Sequence, residues 1–164
     1  MRQEIELERY IHQNGMNIDY HGDTAKNIFG TEYTVTIGCA ESYFDVPSVR
    51  YGSKQITIKN ACGYYKDVYG VQDEDNFMAH TLAHELGHTE TYVLGSGLAL
   101  VLAAVSIKNA IQQRSPISIV KGLAMITAGK FFIDEMLAET SAYAVHGAPL
   151  EANPQWFKSL IDLL

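Results

Sequence analysis

The sequence predicts a single α+β domain: a small mixed or antiparallel sheet, then a metal-site helix, then a mainly helical C-terminal half. Three observations predict it. Glu32–Ile37 and Lys54–Asn60 alternate in character and are rich in β-branched residues, the period of a strand. Ala79–His88 carries two histidines four apart among good helix formers. Beyond Thr91 strand patterning stops, and two apolar stretches follow, 91–107 and 116–133. All 164 residues suit one domain. Its parts are an N-terminal helix and sheet over about 1–72, the metal helix over about 76–92, apolar and glutamate-bearing helices over about 95–147, and a C-terminal helix over about 154–164.

Residues 2–13 place Ile5, Leu7, Tyr10 and Ile11 among charges, the pattern of a short amphipathic helix that Asn14-Gly15 ends. Thr24–Phe29 reads as a second short helix stopped by Gly30. His12 and His21 sit in polar surroundings and read as solvated. Glu32–Ile37 is the first strand, and 39–49 a loop or broken edge around Asp45, Pro47 and Ser48. In the second strand the alternation puts Ile56 and Ile58 on one face and Gln55, Thr57 and Lys59 on the other. Tyr64, Tyr65 and Tyr69 follow in a glycine-containing loop. Asp73-Glu74-Asp75-Asn76 supplies capping side chains and negative charge at the start of the metal helix.

Bulk properties exclude little. The net charge of −7 argues against a nucleic-acid partner, since phosphate contacts need cationic surface. Two cysteines, Cys39 and Cys62, fit a reducing compartment or a single bridge. The charged start of the chain lacks the apolar core of a signal peptide, so the default expectation is cytoplasmic. Oligomeric state is not legible.

The chemistry is concentrated in His84-Glu85-Leu86-Gly87-His88. Four residues turn a helix by about 400°, so both imidazoles leave one face about one turn apart and can share a zinc ion. Glu85 leaves beside that pair, where a carboxylate can act as general base on a water at the metal. Gly87 is expected to leave room for close approach to the metal. His80 shares the face of His84 and is expected to line the cleft or bond near the metal. A catalytic zinc takes three protein ligands and keeps one position open. The three-histidine extension H-E-x-x-H-x-x-G-x-x-H fails, because Thr91 and Leu94 stand where its glycine and last histidine would be. The third ligand must come from elsewhere, and Glu135 and Glu139 are the candidates. They lie on one helical face with Tyr143 and His146. Acids on a largely apolar helix are costly to bury unless paired or metal-bound.

The stretch 91–107 holds 17 residues without a charge, while 116–133 carries Lys121 and Lys130. Two readings compete. Buried helices packed over the metal helix are the favoured one. A membrane hairpin is the other, and its first stretch is at the short limit of a span of about 20 residues.

Thr81-Leu82-Ala83-His84-Glu85-Leu86-Gly87-His88 resembles the active-site helix of the gluzincin metallopeptidases, in particular the ImmA/IrrE type and the HtpX and CAAX-protease type. Glu135-Met136-Leu137-Ala138-Glu139-Thr140-Ser141-Ala142 is similar to their later E-x-x-A-[D/N]-x-x-A pattern. The resemblance covers about forty residues and implies a zincin-like fold. It also implies Glu135 as third ligand, with Glu139 in the place of an Asp or Asn that orients a zinc histidine. The activity so implied is a zinc endopeptidase acting on a protein or peptide. Glu85 takes a proton from the zinc-activated water and passes it to the leaving amine, and Tyr143 or His146 stabilises the oxyanion. The Gln55–Asn60 strand could pair with an extended peptide. Two alternatives stand beside it: a non-catalytic zinc-binding regulator on the same fold, and a membrane-associated version of the protease inserted through 91–133. A latent form would place Cys39 or Cys62 on the open zinc position.

Overall fold

The computed structural model describes residues 2–39, 47–60, 73–113 and 116–148. The three tyrosines of 64–69, Cys62 and the helix expected over 154–164 lie outside the described residues. The element order is α1 (Arg2–Gln13), β1 (Asp19–His21), β2 (Thr24–Lys26), β3 (Glu32–Cys39), β4 (Ser48–Arg50), β5 (Gln55–Asn60), α2 (Glu74–Gln113) and α3 (Pro116–Ala144). The α+β class and the N-terminal helix are as the sequence predicts.

The sheet is mixed, in the order β1-β2-β3-β5-β4. Only β3 and β5 run parallel, with Val35 opposite Ile56 and Ile37 opposite Ile58. Tyr20, Ala25, Tyr33, Val35, Ile56 and Ile58 are buried along one face. Leu7 and Ile11 of α1 cover it, together with Met78, Ala79, Leu82, Ala83 and Leu86 of α2. A slip of one residue in β5 would turn Ile56 and Ile58 out of this core, at about 1.5–3 kcal/mol for each side chain exposed.

Three expectations are corrected. Thr24–Lys26 is a strand and not the start of a helix. It pairs with β1 across a two-residue turn in which Gly22 has φ +63. The helix that carries the histidines does not stop near Tyr92 but runs unbroken to Gln113, 40 residues or about 60 Å. Gly95 does not break it because α3 packs there: a Cβ at Gly95 would overlap the Asp134 carboxylate and sit 3.3 Å from its Cγ. Finally, the apolar stretches are not a core over the metal helix. The core draws on α2 only as far as Leu86. Beyond it Val93 is 82% exposed, Leu100 72% and Val101 61%, with Val120 and Phe131 of α3 similarly open.

Cys39 is disulfide-bonded, the second of the two options open to a pair of cysteines. It therefore has no thiolate to offer a metal.

Candidate metal centre

Asp73 caps α2, its carboxylate accepting the Asn76 N–H at 3.1 Å and its carbonyl the Phe77 N–H at 3.1 Å. The apolar residues Met78, Ala79, Leu82, Ala83 and Leu86 press on the sheet and so fix the rotation of the helix. The column His80, His84, His88, spaced by four, is thereby turned to α3. Close approach of α3 depends on small residues. A Cβ on Gly87 would overlap the Ala138 carbonyl oxygen and lie 3.0 Å from the Ala138 Cα. Gly87 thus makes room for the second helix, not for a metal as expected. Ala138 and Ala142 are fully buried in α3. Glu135 and Glu139, one turn apart on α3, meet the histidine column.

The ε nitrogens of both histidines converge on one carboxylate. His84 Nε2 is 3.2 Å from Glu135 Oε2, and His88 Nε2 is 3.6 Å from Glu135 Oε1. The two rings stand edge to face, centroids 4.7 Å apart. His84, His88 and Glu135 each offer a ligand atom within 4.8 Å of the others. Glu139 takes the other side of His84, its Oε2 2.9 Å from Nδ1. The same carboxylate lies 3.1 and 3.3 Å from His80 Nε2. His80 therefore bonds near the cluster and is not part of it.

This arrangement is of the size a metal ion needs. Tetrahedral ligands at about 2.0–2.2 Å from zinc stand about 3.3–3.6 Å apart, close to the separations of 3.2 and 3.6 Å between the two histidines and the two oxygens of Glu135. An imidazole that holds a metal through one nitrogen usually gives the other N–H to a carboxylate, and Glu139 stands there for His84.

Burial works against charge on His84, yet the hydrogen bonds to Glu135 and Glu139 raise it to about 10. His88 is driven down to about 4, by burial first and then by the charge on His84. Burial opposes ionisation of Glu139, but His80 and His84 bring it down to about 2. The His84 imidazolium thus faces two carboxylates, Glu135 and Glu139. Glu85 is buried alongside. Burial raises it to about 7, with His84 pulling it down and Glu135 pushing it up.

The two other predicted site residues are elsewhere. His146 is 1% exposed, and both its ring nitrogens are engaged, Nε2 by Glu90 at 3.0 Å and Nδ1 by the Asn17 carbonyl at 2.9 Å. No nitrogen remains for an oxyanion. Glu90 also accepts from Ser141 and from the Ile28 N–H, so His146 belongs to a network that ties α2, α3 and the sheet loops. Tyr143 is 51% exposed on the outside of α3. The structure does not bring either residue to the cluster, for one reason: helical spacing gives the face of a residue relative to its own helix, not the neighbour that face meets.

Tyr51 was not foreseen. It follows β4, its hydroxyl donates to the His88 carbonyl at 3.3 Å, and its ring packs on Tyr92 with centroids 4.7 Å apart. Burial first, then the charges of Asp134 and Glu85, push its hydroxyl up to about 12, so it keeps its proton at neutral pH. A tyrosine in a turn carries no periodic signal, and its partner is 37 residues on. The expected peptide-pairing edge also moves. Among the described residues β5 lies between β3 and β4, which leaves β4 as the edge on that side of the sheet and β1 as the edge on the other.

The fold and the cluster define an α+β chain with a two-histidine, one-carboxylate candidate metal centre on adjoining helices. No family model, curated protein or solved structure matches the chain.

Proposed function

We propose that the chain is a zinc-dependent endopeptidase on a zincin-like fold, with His84, His88 and Glu135 as ligands and Glu85 as general base. The observation that carries this reading is the convergence of both His Nε2 atoms on Glu135 directly beside a buried Glu85. A binding site with no chemistry has no use for that buried acid, which disfavours the non-catalytic reading.

Zinc, when bound, supplies a Lewis acid for the scissile carbonyl and a water with a pKa of about 7. The remaining work falls to this chain's residues. Glu85, buried beside the pair, would take a proton from the attacking water and release it to the leaving amine. Glu139 fixes the ring of His84, and His80 steadies Glu139. Tyr51 replaces Tyr143 and His146 as the oxyanion donor: its bond to the His88 carbonyl is long, and a substrate oxygen can displace it. The β4 edge offers backbone groups to an extended peptide.

The exposed hairpin favours the membrane-associated version of this protease. Among the described residues α2 is long and apolar enough to cross a membrane by length and composition, and only 11% of its most apolar window is buried. Its outward residues Val93, Leu94, Leu100, Val101, Leu102 and Val105 succeed one another around the helix. A helix that is apolar on every side is matched by a lipid environment. The segment that inserts lies beyond Tyr92, clear of the histidine column.

The test is digestion of a peptide library by purified protein, read by mass spectrometry. Cuts that vanish with a chelator and return with added zinc are expected. A zinc-loaded protein that leaves every peptide intact contradicts the peptidase reading.

A further inference from the structure

A second group of metal-ligating side chains is assembled far along the sequence from the first. His12 and His21 read as isolated in the sequence, yet the β1–β2 hairpin folds back along α1 and brings His21 to the end of that helix. Glu8 and His12 are four apart on α1 and share a face. His21 reaches them from β1, its ring centroid 6.0 Å from that of His12. Glu8, His12 and His21 each offer a ligand atom within 4.8 Å of the others.

We propose that Glu8, His12 and His21 form a second site for a divalent transition-metal ion, zinc foremost, that ties α1 to the edge strand β1. Glu8 is already positioned for it. Its Oε2 accepts the Gly22 N–H at 3.1 Å, which aims Oε1 at His21 Nδ1, 3.0 Å away. His21 Nε2 in turn lies 3.4 Å from Asp19 Oδ1. This is the arrangement of His84 over again: one ring nitrogen toward a ligating carboxylate, the other toward a second carboxylate that orients the ring. Two imidazoles and one carboxylate suit zinc, nickel or copper, whereas calcium and magnesium want oxygen sets. His12 and His21 are exposed, so the remaining coordination position is open to water. The three ligand atoms all lie within 4.8 Å of one another, and binding would draw them to the tetrahedral spacing of about 3.4 Å. The role this geometry supports is structural, because a metal there would add a tie between α1 and the edge strand β1, whose Tyr20 packs in the same core as Leu7 and Ile11.

The experiment counts zinc bound by full-length protein at micromolar free zinc after chelator treatment. Wild type is compared with His12→Ala/His21→Ala and with Glu8→Gln. A loss of one zinc per chain in the double variant is expected, and a weakened site in Glu8→Gln. The difference of one is the criterion, not the total, so the outcome is independent of whether His84, His88 and Glu135 hold zinc. A second readout is thermal unfolding: zinc should raise the midpoint of His84→Ala/His88→Ala protein, and the rise should disappear when His12 and His21 are also replaced. Circular dichroism in chelator checks that the surface variants fold as wild type does. Equal zinc content in wild type and His12→Ala/His21→Ala overturns the proposal, as does occupancy reached only at millimolar zinc.

Discussion

Glu139 Oε2 lies 2.9 Å from His84 Nδ1, on the side of the ring away from the nitrogen that faces Glu135. The two glutamates of α3 therefore grip one imidazole from opposite sides, and their replacements should differ. Glu135→Ala removes a proposed ligand and should abolish tight zinc binding at this centre. Glu139→Gln leaves the ligand set intact and should weaken zinc by about 10–100-fold. Competition with a chromophoric chelator, in protein also carrying His12→Ala and His21→Ala, measures both. Equal losses would mean that the glutamates have no division of labour.

Gly87 sets the distance between the helices. Gly87→Ala forces its methyl onto the Ala138 carbonyl, one turn from Glu135. Overpacking of this kind costs about 1–3 kcal/mol. Thermal unfolding should show that loss together with poorer zinc retention. Gly97→Ala is the control, since a Cβ there meets nothing within 4 Å. It should be neutral or gain up to about 1 kcal/mol from helix propensity.

The buried His146–Glu90 pair makes stability depend on pH. Burial disfavours charge on His146, but Glu90 and the Asn17 carbonyl outweigh it and raise the group above its ordinary 6.5. A histidine with a raised folded pKa contributes fully below its unfolded value and loses that contribution as pH rises through the folded one. Wild type should therefore lose stability above about pH 6.5, where His146→Gln should show a flatter profile and a lower plateau at pH 6. Denaturant midpoints across pH 5.5–9 supply the check, within about the 1–3 kcal/mol of a broken buried network.

The exposed hairpin predicts membrane partition. Wild type should float with phospholipid vesicles in a density gradient. A Leu100→Glu/Val101→Glu variant should stay in the aqueous fraction, because charges inside a bilayer cost about 2.5–3.5 kcal/mol each on insertion scales. Both positions are exposed, so the fold should survive the change. Wild type that stays in the aqueous fraction as a monomer would remove the membrane version of the protease. A soluble dimer would assign the hairpin to a second copy of the chain.

What was legible in the sequence was local. α1, β3, β5 and the capped start of α2 follow from period and capping, and the His84–His88 pair from a spacing of four. The two glutamates were legible as acids on an apolar helix, and the resemblance implied a ligand role for Glu135 and an orienting role for Glu139; which face of His84 each one meets needed the second helix. β2 was misread because three residues hold too little pattern, and its strand state comes from pairing with β1 and β3. The end of α2 was misplaced because no local signal marks where an apolar helix stops, and the packing of Gly95 against Asp134 is a contact between distant segments. Tyr51, His146 and the Glu8–His12–His21 group depend on contacts between distant segments, which no single stretch records. The exposure of Val93, Leu100 and Val101 was not legible, since apolar composition is the same for a buried helix and for one that presents its side chains outward.

The central claim is that Glu85 is the base of a zinc centre built from His84, His88 and Glu135. Glu85→Gln keeps the size of the side chain and removes the base. The measurement is peptide cleavage by this variant and by wild type at matched zinc occupancy. The account predicts unchanged zinc binding with a fall in rate of about 10²–10⁴-fold. Equal cleavage by the two proteins at equal zinc content would contradict it.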